Sequence, residues 1–152
     1  MSQPRQALLG EVGASLQRYQ RSVQAFDDGV GRALQLNPSA VRCLDWLADG
    51  PKSMSALGAG IGLRPAATSA LVDRLEAREL VYRTRPESNR RQVLVTMTDH
   101  ARELTDRYYG PLVAEGLGIM DQLDDEQLGF LRDLLASITE LTDRHRDDLG
   151  AT

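Results

Sequence analysis

The chain is 152 residues long, with 18 basic and 22 acidic side chains, a formal net charge of −4 and a single cysteine. That length supports one real core, the lone Cys43 excludes an internal disulfide framework, and no apolar run is long enough to span a bilayer. The start, MSQPRQALLGEVGASLQ, lacks the basic and continuously apolar regions of a signal peptide, so a soluble cytoplasmic protein with no membrane partner is expected.

The charge is unevenly spread. Residues 1–63 hold six basic and five acidic side chains, residues 64–91 hold seven and four, and residues 99–152 hold five and thirteen. An acidic chain is a poor general binder of polyanions, but binding depends on the field of one face. The middle segment is the only candidate for such a face.

Leu8, Val12, Leu16, Tyr19, Val23, Phe26 and Val30 are spaced by three or four, a helical period sustained for about seven turns. So long an amphipathic helix needs something large to lie against, and a second subunit is the natural candidate. Asn37 and Pro38 suit the cap and first position of a second helix, with Ala40, Val41, Leu44, Leu47 and Ala48 facing inward and Gly50 as its stop. A short helix around 53–60 ends at the Gly62 turn. Pro65 then opens another helix through about Arg78, with Ala67, Leu71, Val72 and Leu75 inward. Short helix, glycine turn and second helix make a helix-turn-helix arrangement.

After Leu80 the period changes to two. Val93, Val95 and Met97 alternate with Gln92, Leu94 and Thr96, Val81 and Tyr82 begin a matching strand, and PESN between them is turn chemistry. The product is a β-hairpin with arginines near its tip. Thr98 can cap the next helix, which runs to the Gly116–Gly118 region. Asp124 and Gln127 have capping-box spacing before the last helix, with Leu128, Leu131, Leu134, Leu135, Ile138 and Leu141 as its apolar stripe.

A long helix, a helix-turn-helix, an arginine-tipped hairpin and two more long helices resemble the MarR (multiple antibiotic resistance regulator) family over essentially the whole chain. The segments GLRPAATSALVDRLEARELVYRT and SNRRQVLVTMT carry the resemblance, as recognition helix and wing. It implies a mainly α fold with a β-hairpin wing. The implied organisation is a dimerisation helix over residues 1–35, a winged helix-turn-helix DNA-binding module over 36–98, and C-terminal dimerisation helices over 99–152.

A helix in the major groove offers its N-terminal residues to base edges. Here the outward positions are Arg64, Ala66, Ser69, Ala70, Asp73 and Arg74. Arginines at a hairpin tip suit a narrow minor groove. By resemblance Arg91 matches the arginine that family members insert there, Arg90 sits beside it, and Arg83 and Arg85 lie nearer the DNA backbone. Three positions depart from the family pattern: Asn89 replaces a usual aspartate, Ala70 a longer polar side chain, and Ala101 a glycine. The bland alternatives are that Arg83 or Arg85 pairs with Glu76, Glu79 or Glu87, and that Ser69 faces water or bonds its own backbone.

The resemblance further implies a homodimer held by the apolar stripes, with Leu8, Val12, Leu16, Leu131, Leu134, Leu135 and Ile138 as candidates. It also implies a small aromatic or amphipathic effector, for which Tyr19, Phe26, Trp46, Tyr108 and Tyr109 are pocket candidates, each of them singly better explained by ordinary packing. Cys43 reads as an inert packing residue. His100 and His145 each offer too few neighbouring ligands for zinc, and no catalytic motif is present, so neither a cofactor, a metal nor an enzyme is expected. The expected function is a homodimeric repressor on an inverted-repeat operator in double-stranded DNA, relieved by a ligand. The rival is a winged-helix protein-interaction module that docks another regulator through its acidic helices.

Overall fold

The computed structural model describes residues 3–86, Asn89 and residues 91–150. In chain order these form α1 (Gln3–Leu34), α2 (Pro38–Ala48), β1 (Lys52–Ser53), α3 (Met54–Ile61), α4 (Pro65–Ala77), β2 (Val81–Thr84), β3 (Leu94–Met97), α5 (Asp99–Met120) and α6 (Asp125–Gly150). The chain divides into two compact units, residues 1–108 and 109–152. No described helix is long and apolar enough to cross a membrane.

Local signals set most of the boundaries in the first unit. Asn37 Oδ1 accepts from the Ala40 N–H at 2.9 Å and Pro38 occupies the first turn of α2. Ser53 caps α3 through the Ala56 N–H at 3.2 Å, and Thr98 caps α5 through the Ala101 N–H at 3.0 Å. Helix α1 stops where Gln35 turns to φ +53°, with the Leu36 N–H bonded to the Gly31 carbonyl at 2.8 Å. Helix α4 stops the same way at Glu79, φ +57°, with the Leu80 N–H on the Leu75 carbonyl at 2.9 Å.

The hairpin is joined by a third strand that no sequence pattern announces. Sheet order is β1-β3-β2, all antiparallel, with Lys52 opposite Val95 and Val81 opposite Met97. Two residues are too few to show a period of two. The core gathers Leu44, Leu47, Leu57, Leu71, Leu75 and Val95 from three helices and the central strand.

Two positions expected inside, Ala48 and Ala67, are exposed; Cys43 packs in the core as expected, and Thr68 is buried where an alanine was expected. The spacing 68, 71, 72, 75 makes one face of α4, so Thr68 and not Ala67 lies over the core. Its hydroxyl is satisfied there by the Arg64 carbonyl at 3.1 Å and the Leu63 carbonyl at 3.4 Å.

In the second unit a tight turn over 121–124 separates α5 from α6. The Asp124 N–H donates to Gln127 Oε1 at 3.0 Å while the Gln127 N–H donates to Asp124 Oδ1 at 2.8 Å, a reciprocal capping box. None of the described residues of this unit is fully buried.

Candidate nucleic-acid interface

Helix α4 is set against α3 by close approach. A Cβ built on Gly58 would lie 2.8 Å from Thr68 Oγ1 and 3.1 Å from the Leu63 carbonyl, so the two helices meet where only glycine fits. Gly62 makes the turn between them at φ +73°, and the Leu63 N–H closes on the Gly58 carbonyl at 2.9 Å.

With its inner face occupied, α4 turns Ala66, Ala67, Ser69, Ala70, Asp73 and Arg74 to the exterior, preceded by exposed Arg64 at the cap position. Arg64 makes no side-chain cap bond, and Pro65 opens the first turn. The N–H groups of that turn lie at the positive end of the helix dipole, where an anionic oxygen is favoured.

The hairpin places β2 beside α4. Arg83 reaches back from β2 with both arms of its guanidinium: Nη2 lies 2.6 Å from Asp73 Oδ1, and Nη1 is hydrogen-bonded to Glu76 Oε2. Its backbone N–H also donates to Glu76 Oε1 at 3.2 Å. Burial draws the guanidinium pKa down, but the bonds to Asp73 and the nearby charge of Glu76 outweigh it and leave it raised. Arg83 is thus engaged by two carboxylates of α4. Pairing with Glu76 was one alternative legible in the sequence; Asp73, ten residues away, was not.

Arg85 and Arg91 are exposed. Asn89 Oδ1 accepts from the Arg91 N–H at 3.2 Å, and the Gln92 N–H donates to the Asn89 carbonyl at 3.0 Å, so Asn89 shapes the backbone leading into Arg91. Arg90 lies outside the described residues.

The candidate pocket aromatics differ in exposure. Tyr19 is exposed, while Phe26, Tyr108 and Tyr109 are partly buried. Trp46 lies over Gly60 of α3, where a Cβ would come within 2.6 Å of its ring. A small apolar pocket in the first unit is lined by Leu34, Leu36, Leu44, Arg78, Leu80, Ala101, Leu104 and Thr105, and by none of those five aromatics. Of the stripe residues, Leu8, Val12, Leu134 and Leu135 are exposed and Leu16, Leu131 and Ile138 half-buried. Cys43 is fully buried, and burial pushes its thiol up to about 12.

Sequence reading missed Arg78. Its guanidinium donates to the carbonyls of Gln35 at 2.8 Å and Leu34 at 2.9 Å, closing the end of α1 from the far end of α4. A basic residue beside a helix end is a weak signal, because the helix it caps lies elsewhere in the chain.

A sequence model described as MarR family matches residues 34–92. The chain is 31% identical over 94 residues to the uncharacterized HTH-type transcriptional regulator YhbI of Bacillus subtilis, covering 62% of this chain and 61% of that protein's length. Its fold is similar to that of CouR from Rhodococcus jostii bound to p-coumaroyl-CoA, at 28% identity and a TM-score of 0.62, over 88% of this chain and 94% of that one. A point mutant of S. aureus MepR bound to an oligodeoxyribonucleotide has a TM-score of 0.55 at 15% identity, over 86% and 97% of the two chains. Residues 34–92 thus match the MarR family, and with its three-stranded wing beside α4 the chain has a winged-helix fold.

Proposed function

We propose that the protein is a sequence-specific DNA-binding transcriptional regulator, acting as a homodimeric repressor that a small molecule releases from its operator. One observation carries the reading: α4 turns Arg64, Ser69 and Arg74 outward beside a hairpin bearing exposed Arg85 and Arg91, in a chain whose acid is concentrated in residues 99–152. An exposed helix with basic flanks fits the major groove, and Arg91 of the hairpin, with Asn89 beside it, suits the adjacent minor groove, Arg90 being a further candidate by sequence alone. Ala66 and Ala70 leave room for close approach of the helix to the bases. The similarity to a MepR variant bound to an oligodeoxyribonucleotide supports this reading of the fold.

The dimer is supported by large apolar side chains that the single chain leaves exposed, including Leu8, Val12, Leu134 and Leu135. Two copies would read an inverted repeat with half-sites about 10 bp apart or a multiple of that. Release is supported by the similarity to CouR, whose structure holds p-coumaroyl-CoA. A ligand that changes the spacing of the two recognition helices removes one of them from its groove.

The test is selection of duplex DNA from a random pool, followed by binding measured across a salt series. Each phosphate contact contributes roughly 0.9 to the slope of log affinity against log salt, so a multi-arginine interface weakens steeply as salt rises. Arg91→Ala is expected to remove most of the affinity. Salt-independent association indifferent to Arg91 would defeat the reading and favour the protein-docking alternative, which the thirteen acids of residues 99–152 motivate.

A further inference from the structure

Three residues, 78–80, separate the end of α4 from the start of β2. Such a short joint fixes the distance between recognition helix and wing but leaves their angle to side chains. Asp73 and Glu76 are three apart on α4 and so project on the same side. From β2, Arg83 takes one carboxylate with each arm, and Glu76 holds the Arg83 main chain as well.

We infer that Arg83 is a positioning residue of the DNA interface, not one of its phosphate contacts: its fork fixes the wing against the recognition helix. The inference rests on the DNA-binding reading. One guanidinium between two carboxylates is a cluster of net charge −1, which does not attract phosphate. The Arg83 side chain is only 27% exposed, against 63% for Asp73 and 39% for Glu76. Turning it outward would strand two carboxylates beside the phosphates. A planar fork holding two partners is also stiffer than a single surface ion pair. Arg83 therefore does two things: it sets the angle of β2, and it screens the exposed Asp73 on the outward face of α4.

The experiment compares the full-length protein with Arg83→Gln, Arg83→Lys and Arg91→Ala, on duplex DNA selected from a random pool and titrated with KCl. Arg83→Gln is expected to weaken binding roughly tenfold with a salt slope parallel to wild type. Arg83→Lys is expected to behave alike, because an ammonium cannot take both carboxylates in the fork geometry. Arg91→Ala is expected to lower the slope by about 0.9. A similar slope loss in Arg83→Gln, restored by lysine, overturns the inference, and so does unchanged affinity in Arg83→Gln.

A DNA-free readout separates this claim from its parent. Amide exchange in residues 81–84 and 94–97 should accelerate about tenfold in Arg83→Gln while residues 40–47 keep their protection. Unchanged exchange in the strands overturns the positioning role. Failure of the wild type to bind any selected duplex overturns the DNA reading instead. Asp73→Asn, at an exposed position, provides the same exchange test if Arg83→Gln does not fold.

Discussion

Gly58 and Thr68 meet so closely that a methyl group on the glycine would lie 2.8 Å from the threonine hydroxyl. The hydroxyl is held by the Arg64 carbonyl at 3.1 Å, so it cannot swing aside without leaving a buried polar atom unpaired. Gly58→Ala is expected to destabilise the first unit by about 1–3 kcal/mol through overpacking. Trp46 is the only tryptophan in the sequence and lies over Gly60, so its fluorescence during urea unfolding reports on this contact. An unchanged midpoint would show that α3 and α4 are not wedged together.

Arg78 is expected to stabilise the end of α1 from a distance. Its two charge-assisted bonds to the Leu34 and Gln35 carbonyls join residues 43 and 44 positions apart. Because the side chain is exposed, Arg78→Ala should cost only about 1–2 kcal/mol. Amide exchange should rise at Leu36, whose N–H closes the end of α1. If exchange there stays at wild-type rates, the cap does not hold α1.

Glu79 carries a positive φ of 57°, a region that costs an L-residue roughly 1–2 kcal/mol and glycine almost nothing. Its carbonyl accepts from Thr98 Oγ1 at 2.7 Å, a bond that glycine preserves. Glu79→Gly should therefore stabilise the protein by about 1 kcal/mol, after the extra backbone entropy of glycine is offset. Thermal unfolding at matched protein concentration measures this, and a lower midpoint would contradict it.

Cys43 gives a pH dependence of known sign. Burial pushes its thiol from 9.0 to about 12, so between those values the unfolded chain loses the proton while the folded chain keeps it. The folded state then binds more protons, and stability falls as pH rises. The contribution is fully present below pH 9 and disappears toward pH 12. Cys43→Ala should lose less stability than wild type over that window. Wild-type Cys43 should also resist alkylation at pH 8 until the protein is unfolded, and rapid labelling of the native protein would contradict its burial.

Much of the fold was legible in the sequence because its causes are local. Asn37, Thr98 and the Asp124–Gln127 pair bond backbone groups three residues away, and such caps are visible in any short window. The change of period after Leu80 exposed the hairpin, and the alternation of Val95 and Met97 showed which face is inside. The exposed set Arg64, Ser69 and Arg74 followed from helical spacing alone.

Tertiary structure decided what depends on distant partners. Lys52 and Ser53 become a strand only because Val95 and Leu94 lie alongside. Thr68 displaces Ala67 from the core because α3 fixes which face of α4 is covered, and the carbonyls of the preceding turn satisfy its hydroxyl. Hydropathy alone favours the alanine. For Arg83 the sequence left a DNA contact and a pairing with Glu76 both open, packing brought Asp73 to it as well, and Arg78 had no legible partner at all. The sequence by itself determined the elements, their caps and the polarity of their faces, since those follow from hydrogen bonds and periodicities within a few residues. Which charges neutralise one another, and so which arginines remain for a partner, was decided only when packing brought those distant groups together.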